Sequence, residues 1–163
     1  MSKDLEITSR YNNGNYLSKN SDWHVEDSPW KAKQVDKIIK RNKLIPTTIC
    51  EVGCGAGEIL RQLSLKSNYS EVDFTGYEIS SDAFELCQTR SAERLTYLKK
   101  DLFEDDKQYD ITLCLDVFEH VENYMGFIKT LRKKIGFKIF HIPLDLSVSA
   151  LLRGMLIYNR NSV

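Results

Sequence analysis

The sequence predicts an α/β protein built around a parallel sheet. Segments with the pattern of strands alternate five times with segments of helical periodicity, and such alternation is typical of parallel strands joined by right-handed crossovers. Three glycines follow the first predicted strand at alternate positions. In sheets of this class, ligands bind beyond the carboxyl ends of the strands. The functional residues are therefore expected on the loops at that edge.

The size and composition of the chain are those of one ordinary globular domain. Its 163 residues allow a single domain with a hydrophobic core but not two such domains. The formal net charge is zero at pH 7, so it supports neither a nucleic-acid partner nor binding to an anionic membrane. No apolar run approaches the ~20 residues of a membrane span, and the first residues lack the apolar region of a signal peptide. We therefore expect a cytoplasmic location.

Two regions of different character divide the chain. Residues 1–29 are polar with scattered aromatic side chains, and they are predicted to form an arm that either packs against the domain or closes over a ligand. Residues 30–163 are predicted to form the single folded domain. After the strand that ends at the glycines, four more strands are expected at residues 71–79, 95–98, 109–115 and 137–142.

Local signals place two of the helix starts. The first helix is expected to begin at Pro29, because proline suits the first turn of a helix, and to bury an apolar stripe that includes Ile38. Asp82 and Glu85 have the spacing of a capping box. Ser80, Ser81 and Asp82 are therefore expected to cap a further helix.

The stretch around Gly53, Gly55 and Gly57 carries the strongest functional signal. Glycine tolerates positive φ angles and lets a ligand lie close to the backbone, and such a turn between a strand and a helix typically holds a nucleotide-like ligand. A dinucleotide loop would have its third glycine where Glu58 stands, and a P-loop would need Gly-Lys-Ser/Thr. Carboxylates at Glu51 and Glu58 would repel a phosphate, so both are expected to favour a cationic ligand without phosphate.

The segment Glu51-x-Gly53-x-Gly55-x-Gly57 resembles the first motif of class I S-adenosylmethionine-dependent methyltransferases. The cofactor of that family carries an ammonium and a sulfonium and no phosphate, in agreement with the two carboxylates. The resemblance extends over about residues 22–150, with four motifs in the same order. It implies a Rossmann-like, doubly wound sheet and S-adenosyl-L-methionine as the cofactor. A nicotinamide oxidoreductase shares this topology, but Glu51 and Glu58 disfavour it.

The ends of the second and third predicted strands supply further candidate cofactor-binding residues. Glu78 lies 21 residues after Gly57, where an acidic side chain can accept hydrogen bonds from both hydroxyls of a ribose; the alternative is a solvent-facing charge. Asp101 resembles the family's carboxylate that accepts from the adenine amino group, and its alternative is to cap a turn. Their neighbours Ile79 and Leu102 are assigned to the same site.

The fourth strand leads into Asp116-Val117-Phe118-Glu119-His120, which resembles the Asp-x-x-Glu-His segment of the family's small-molecule branch. The resemblance implies that Asp116 and Val117 contact the methionine part of the cofactor. His120 and, at the end of the fifth strand, His141 are candidate catalytic residues, because histidine can accept a proton near neutral pH. The alternatives for His120 are that it orders its loop or contacts the substrate. No metal site is expected, since no cluster with ligand spacing is visible.

The resemblance implies methyl transfer by in-line displacement to a small-molecule or sugar-like acceptor. The alternative is a non-catalytic cofactor-binding or interaction module on the same fold. The sequence stops before the family's final antiparallel hairpin, so we expect a C-terminally short domain. We also expect the uncovered edge of the fifth strand to invite a partner or a second copy of the chain, because an apolar unpaired edge pairs readily with another strand.

Overall fold

The structure, a computed structural model, describes residues 25–143. The strands are β1 (Thr48–Val52), β2 (Asp73–Glu78), β3 (Leu95–Lys99), β4 (Ile111–Leu115) and β5 (Phe137–His141). The α-helices are α1 (Ser28–Arg41), α2 (Glu58–Ser64), α3 (Ser81–Gln88) and α4 (Tyr124–Arg132). Short 3₁₀ turns lie at Val25–Asp27, Ser67–Tyr69, Leu102–Glu104 and Phe118–His120.

The five strands form one parallel sheet in the order β3-β2-β1-β4-β5. Every neighbouring pair is parallel, so the carboxyl ends of all five strands meet at one edge. All residues of β4 are buried, as expected for a central strand covered on both faces. The prediction of a Rossmann-like parallel sheet is confirmed.

Alternate side chains of the strands enter two separate hydrophobic clusters. Ile49 and Leu113 belong to the cluster that contains residues of α1, α2 and α3, whereas Cys50 and Tyr77 belong to the cluster that contains residues of α4. The division follows from strand geometry, because successive side chains point to opposite faces of a sheet. Burial raises the pKa of the Cys50 thiol to about 12, so this cysteine packs as a small neutral hydrophobe.

The buried stripe of α1 differs from the predicted one. Its buried residues are Ser28, Ala32, Val35, Asp36 and Ile39. Ile38, which was expected inside, is 39% exposed. The stripe keeps helical spacing but includes a carboxylate, and Asp36 accepts hydrogen bonds from Tyr69 Oη at 2.8 Å and from Lys40 Nζ at 3.0 Å. These partners compensate for the burial of Asp36 and hold α1 against the 3₁₀ turn after α2.

The start of α3 confirms the predicted cap at Ser80 but not the predicted capping box. Ser80 is the N-cap residue, and its hydroxyl accepts a hydrogen bond from Ala83 N at 3.4 Å. Asp82 therefore lies in the first turn of α3 and not at its cap, so the capping box expected from Asp82 and Glu85 does not form.

Several predictions concern residues beyond the described range. Residues 1–24 of the predicted arm lie outside the described range, and so do residues 144–163 after β5. Within that range no strand pairs with the outer edge of β5, where Phe137 is 60% exposed, so association through this edge stays a prediction. No helix in the described part of the chain is long and apolar enough to span a membrane.

Candidate cofactor-binding site

A cavity of about 600 Å³ opens at the carboxyl edge of the sheet. Its walls come from the turn after β1, the ends of β4 and β5, and the start of α1. The charged and aromatic side chains in these walls are Asp27, Trp30, Lys31, Glu51, Glu58, Asp116, Glu119, His120 and His141. The cavity therefore lies where the sequence predicted the functional loops.

Two of the three loop glycines are required by packing inside the protein. Gly57 has a φ of +77° at the N-cap of α2, and an added Cβ atom would lie 2.5 Å from the Tyr97 ring. Gly53 has a φ of +60°, and its added Cβ would lie 2.7 Å from Val117 Cγ2. Tyr97 Oη also donates to the Gly57 carbonyl at 2.6 Å. The protein itself thus holds the shape of the turn, independently of any ligand.

Glu78 anchors the glycine turn to the end of β2. Its Oε2 accepts from Gly55 N at 2.8 Å, and its Oε1 accepts from the amides of Ile79 and Ser80 at 2.9 and 2.8 Å. Burial raises the pKa of this carboxyl, although the three amides act in the opposite direction. The alternative of a solvent-facing charge is wrong, since Glu78 is 6% exposed.

Glu51 is a buried carboxylate with an unpaired oxygen. It lies in β1, is 1% exposed and borders the cavity. Its Oε2 has no hydrogen-bond partner among the described residues. Burial raises the pKa of Glu51 well above its usual value; Lys31 opposes this effect, and the negative charges of Glu78 and Asp116 add to it. A cation in the cavity would stabilise the ionised form of Glu51.

Glu58 has its charge compensated within the protein. It forms ion pairs with Arg61 and Arg90, each at 2.9 Å, and accepts from Gln62 Nε2 at 2.6 Å. Burial raises the pKa of Glu58, but these partners outweigh burial and hold the pKa below its usual value. Contrary to expectation, the charge of Glu58 is therefore already neutralised by side chains of the protein.

Two side chains from distant parts of the chain, Lys31 and His141, meet at Asp116. Lys31 Nζ lies 2.5 Å from Oδ2, and His141 Nδ1 lies 2.6 Å from Oδ1. Asp116 follows β4 directly and has a φ of +56°, a conformation that aspartate tolerates better than most residues. Burial raises the pKa of Asp116, but the hydrogen bonds from Lys31 and His141 outweigh burial and lower it. Asp116 is therefore ionised at neutral pH.

The remaining predicted site residues lie outside the cavity walls. Asp101 Oδ1 accepts a hydrogen bond from Phe103 N at 2.9 Å. Asp101 therefore caps the turn after β3, as the alternative prediction for this residue had it. Leu102 is fully buried in the core, Ile79 is 44% exposed, and Val117 packs against the glycine turn. Their contacts with a cofactor stay predictions. The predicted residues that line the cavity together are Glu51, Gly53, Gly55, Gly57, Asp116, His120 and His141.

Sequence analysis missed Lys31. Its side chain is 11% exposed, whereas Lys33 on the same helix is exposed. Nothing in the spacing of the lysines along α1 distinguishes these two residues. Its place in the cavity wall and its contact with Asp116, 85 positions away in the sequence, identify Lys31 as part of the site.

Comparison with known proteins gives a consistent result. A family described as a methyltransferase domain matches residues 50–135. Ubiquinone biosynthesis O-methyltransferase of Rickettsia bellii is 35% identical over 97 residues, which are 58% of this chain and 40% of that protein. The protein of the same name from Rickettsia typhi is 31% identical over 105 residues, 62% of this chain and 42% of that protein. The chain thus spans about two fifths of the length of the curated relatives it matches.

Solved structures show the same fold. Magnesium protoporphyrin IX methyltransferase from Synechocystis PCC 6803 with bound SAM superposes with a TM-score of 0.69 at 18% identity, covering 98% of this chain and 86% of that chain. A complex of the plantazolicin methyltransferase BpumL with SAH and a triazolic desmethylPZN analog has a TM-score of 0.60 at 18% identity, covering 93% of this chain and 56% of that chain. At such identities the likeness establishes the fold.

Proposed function

Because the chain belongs to the methyltransferase domain family, we propose that it binds S-adenosyl-L-methionine and transfers the methyl group to a small-molecule acceptor. The position of Glu51 carries the proposal. A carboxylate that borders a cavity, is 1% exposed and lacks a described partner for Oε2 is unfavourable by itself. A cationic ligand in that cavity would supply the missing partner.

The charges of the cavity match the methionine end of this cofactor. Glu51 and Asp116 would hold the ammonium group of the cofactor. Lys31 would hold the carboxylate of the cofactor, because the ammonium group of a lysine side chain has three donors and Asp116 engages only some of them. When bound, the cofactor would supply a methyl group on positively charged sulfur. The glycine turn would meet the ligand with bare backbone.

The adenosine end is assigned to the loops after β2 and β3. An ionised carboxylate has about four acceptor positions, and backbone amides occupy three of those on Glu78. We therefore expect Glu78 to accept from one ribose hydroxyl rather than two. Asp101 uses Oδ1 to cap its turn, and its second oxygen would accept from the adenine amino group. Their neighbours Ile79 and Leu102 are the proposed apolar contacts at this end, and Val117, which follows Asp116, is the proposed apolar contact at the methionine end.

A nicotinamide dinucleotide fits this cavity poorly. Glu51, Asp116 and Glu119 all border it, and their carboxylates would repel a pyrophosphate. The arrangement supports a ligand without phosphate.

A small molecule is the proposed acceptor. The relatives are named for ubiquinone biosynthesis, and one structural neighbour is named for magnesium protoporphyrin IX. The formal net charge of zero adds no support for a nucleic-acid substrate. The main contribution of the protein to the rate would be to hold donor and acceptor in line, which can account for about 7–11 kcal/mol of a barrier.

Calorimetric titration of the 163-residue chain tests the cofactor. We expect S-adenosylmethionine and S-adenosylhomocysteine to bind in the micromolar range and NADH not to bind. Replacing Glu51 by glutamine should weaken S-adenosylmethionine binding by about tenfold or more, because a charged hydrogen bond is lost. The matched control is Glu93→Gln at an exposed position, which should bind like the wild type. Failure of both sulfur compounds to bind would overturn the proposal, and binding of NADH would favour an oxidoreductase.

A transfer assay distinguishes an enzyme from a cofactor-binding module. The protein is incubated with methyl-tritiated S-adenosylmethionine and the low-molecular-weight fraction of a cell extract. We expect label to appear in small molecules with the wild type and to fall with Glu51→Gln. Cofactor binding without any transfer would favour the non-catalytic module.

A further inference from the structure

We propose that His141 is the general base of the methyl-transfer step and that Asp116 is its positioning residue. His141 would take the proton from a hydroxyl or amine of the acceptor through its Nε2 atom. This inference rests on the proposed function and narrows it, because the acceptor must then be a nucleophile that carries an exchangeable proton.

The register of the sheet brings the two residues together. Leu115 of β4 lies opposite His141 of β5, and the next amide, Asp116 N, donates to the His141 carbonyl at 3.1 Å. The side chains then meet directly, with His141 Nδ1 2.6 Å from Asp116 Oδ1. The imidazole is thus oriented by the ends of two paired strands and not by a loop alone.

The contact with Asp116 determines which ring nitrogen carries the proton. An ionised carboxylate only accepts hydrogen bonds. Asp116 is ionised because, although burial raises its pKa, the bonds from Lys31 and His141 lower it further. His141 Nδ1 must therefore donate, and the neutral ring then has its lone pair on Nε2, which has no partner among residues 25–143.

The position of His141 suits a base. The residue lines the cavity, its side chain is 35% exposed, and the Trp30 ring packs edge-on against the imidazole with 5.9 Å between centroids. His120 also lines the cavity, but it lies exposed in a 3₁₀ turn, and its side chain makes no hydrogen bond within the described part of the chain. A histidine whose Nδ1–H is held by a carboxylate is the arrangement that orients general bases in other enzymes.

The charges around His141 are compatible with this role. Lys31 Nζ lies 2.5 Å from the other carboxylate oxygen of Asp116, so the carboxylate that orients the His141 ring is also paired with a cation. The other titratable side chains of the cavity wall are Asp27, Glu51, Cys54, Glu58, Glu119 and His120. Of these, Glu58 is paired with two arginines.

The proposed step conserves atoms and charge. The nucleophilic atom of the acceptor forms a bond to the methyl carbon as the carbon–sulfur bond breaks, and the electron pair of that bond stays on sulfur. The proton of the acceptor passes to His141 Nε2, and the resulting imidazolium is stabilised by Asp116. One positive charge is lost from sulfur and one is gained by the ring, which then releases the proton to solvent.

Nuclear magnetic resonance of the chain labelled with ¹⁵N-histidine reads the tautomer without any cofactor. The sequence has three histidines, His24, His120 and His141, so the variants His24→Gln and His120→Gln assign the signals. At mildly alkaline pH we expect His141 to show a protonated Nδ1 and a bare Nε2. Asp116→Asn should reverse the tautomer, because the new amide can donate to Nδ1. A protonated Nε2 on the neutral ring of the wild type would overturn the proposal.

The variant His141→Asn removes the proposed base while keeping the contact with Asp116. The asparagine amide keeps a donor near the position of Nδ1 but removes the atom at Nε2. We expect S-adenosylhomocysteine to bind within about twofold of the wild-type affinity, and methyl transfer to fall by about 10²–10⁴-fold, the usual contribution of a general base. We also expect the wild-type transfer rate to rise with pH and the rate of His141→Asn to lack this rise. The control, Glu93→Gln at an exposed position outside the cavity wall, should retain that rise.

The outcomes are distinguishable from those of the cofactor test. Transfer by His141→Asn at the wild-type rate would overturn the assignment of the base. So would a loss of S-adenosylhomocysteine affinity beyond tenfold, because His141 would then be holding the cofactor. If the wild type binds neither sulfur compound, the proposed function itself fails, and calorimetry reveals that separately.

Discussion

Lys31 Nζ and Asp116 Oδ2 lie 2.5 Å apart, although 85 positions separate the two residues in the sequence. Their side chains are 11% and 31% exposed, so the ion pair is only partly solvated. Removing one member of such a pair leaves the other charge uncompensated. The contact therefore joins the first turn of α1 to the end of β4 and also sets the charge of the cavity.

Replacing Lys31 by methionine should weaken both stability and cofactor binding. We expect a loss of about 1–2 kcal/mol in the free energy of unfolding, less than for a fully buried pair because solvent screens Asp116. Chemical denaturation measures the loss, and Lys33→Met, on the exposed face of the same helix, should change the unfolding free energy by less than about 0.5 kcal/mol. Equal effects of the two variants would contradict a specific role for Lys31.

The effect of Lys31→Met should depend on pH in one direction. The folded-state pKa of Asp116 is lowered from its ordinary value of 3.8, so its stabilising contribution is present above that value and is lost as the pH falls through the folded-state pKa. The difference in unfolding free energy between wild type and Lys31→Met should therefore be constant near neutral pH and fall towards zero in acid. A difference that persists in strong acid would indicate that Lys31 acts through packing alone.

Glu51→Gln should stabilise the cofactor-free protein while weakening the binding of S-adenosylmethionine. The pKa of Glu51 is raised well above the ordinary value of 4.5, so ionisation of this residue opposes folding as the pH rises through the folded-state pKa. At pH values above this pKa we expect the neutral variant to be more stable by about 1–3 kcal/mol, the usual cost of an unsatisfied buried group. Thermal unfolding at several pH values should show the gain vanish below about pH 4.5. A variant less stable than wild type at every pH would mean that the Glu51 carboxylate has a partner.

Glu78→Ala should weaken both the glycine turn and the binding of the cofactor. Three backbone amides lose their acceptor, so we expect a loss of about 1–3 kcal/mol in stability. Cofactor affinity should fall by at least about tenfold, measured by calorimetry under conditions where the variant is folded. Glu85→Ala, at an exposed position on α3, is the control. Unchanged affinity in a folded Glu78→Ala protein would remove the ribose assignment.

Gly57→Ala should destabilise the protein even without a ligand. The added Cβ would lie 2.5 Å from the Tyr97 ring, at a φ of +77°, and such overpacking with backbone strain costs at least about 2 kcal/mol. Combining it with Tyr97→Leu should recover part of the loss, because the smaller side chain leaves room for the methyl group. A double-mutant cycle by chemical denaturation measures this coupling. Strict additivity of the two changes would contradict the packing explanation.

Local patterns were sufficient to predict the sheet and the edge that carries the site. β4 is a run of apolar residues because helices cover both of its faces, and the glycines after β1 mark a turn that few other residues could form. The same reasoning failed where a charged residue was buried with partners. Asp36 lies inside the stripe of α1 in place of Ile38, because Tyr69 and Lys40 satisfy its carboxylate.

The sequence by itself determined the order of the elements, the parallel sheet and the place of the glycine turn, because all three depend on periodicity and residue type over short stretches. Only the tertiary structure decided which charges are compensated. Glu58 is paired with Arg90, Asp116 with Lys31 and His141, while Oε2 of Glu51 is left without a partner among the described residues. Strand register and helix packing choose such partners across the chain, and these contacts between distant residues leave no local pattern in the sequence.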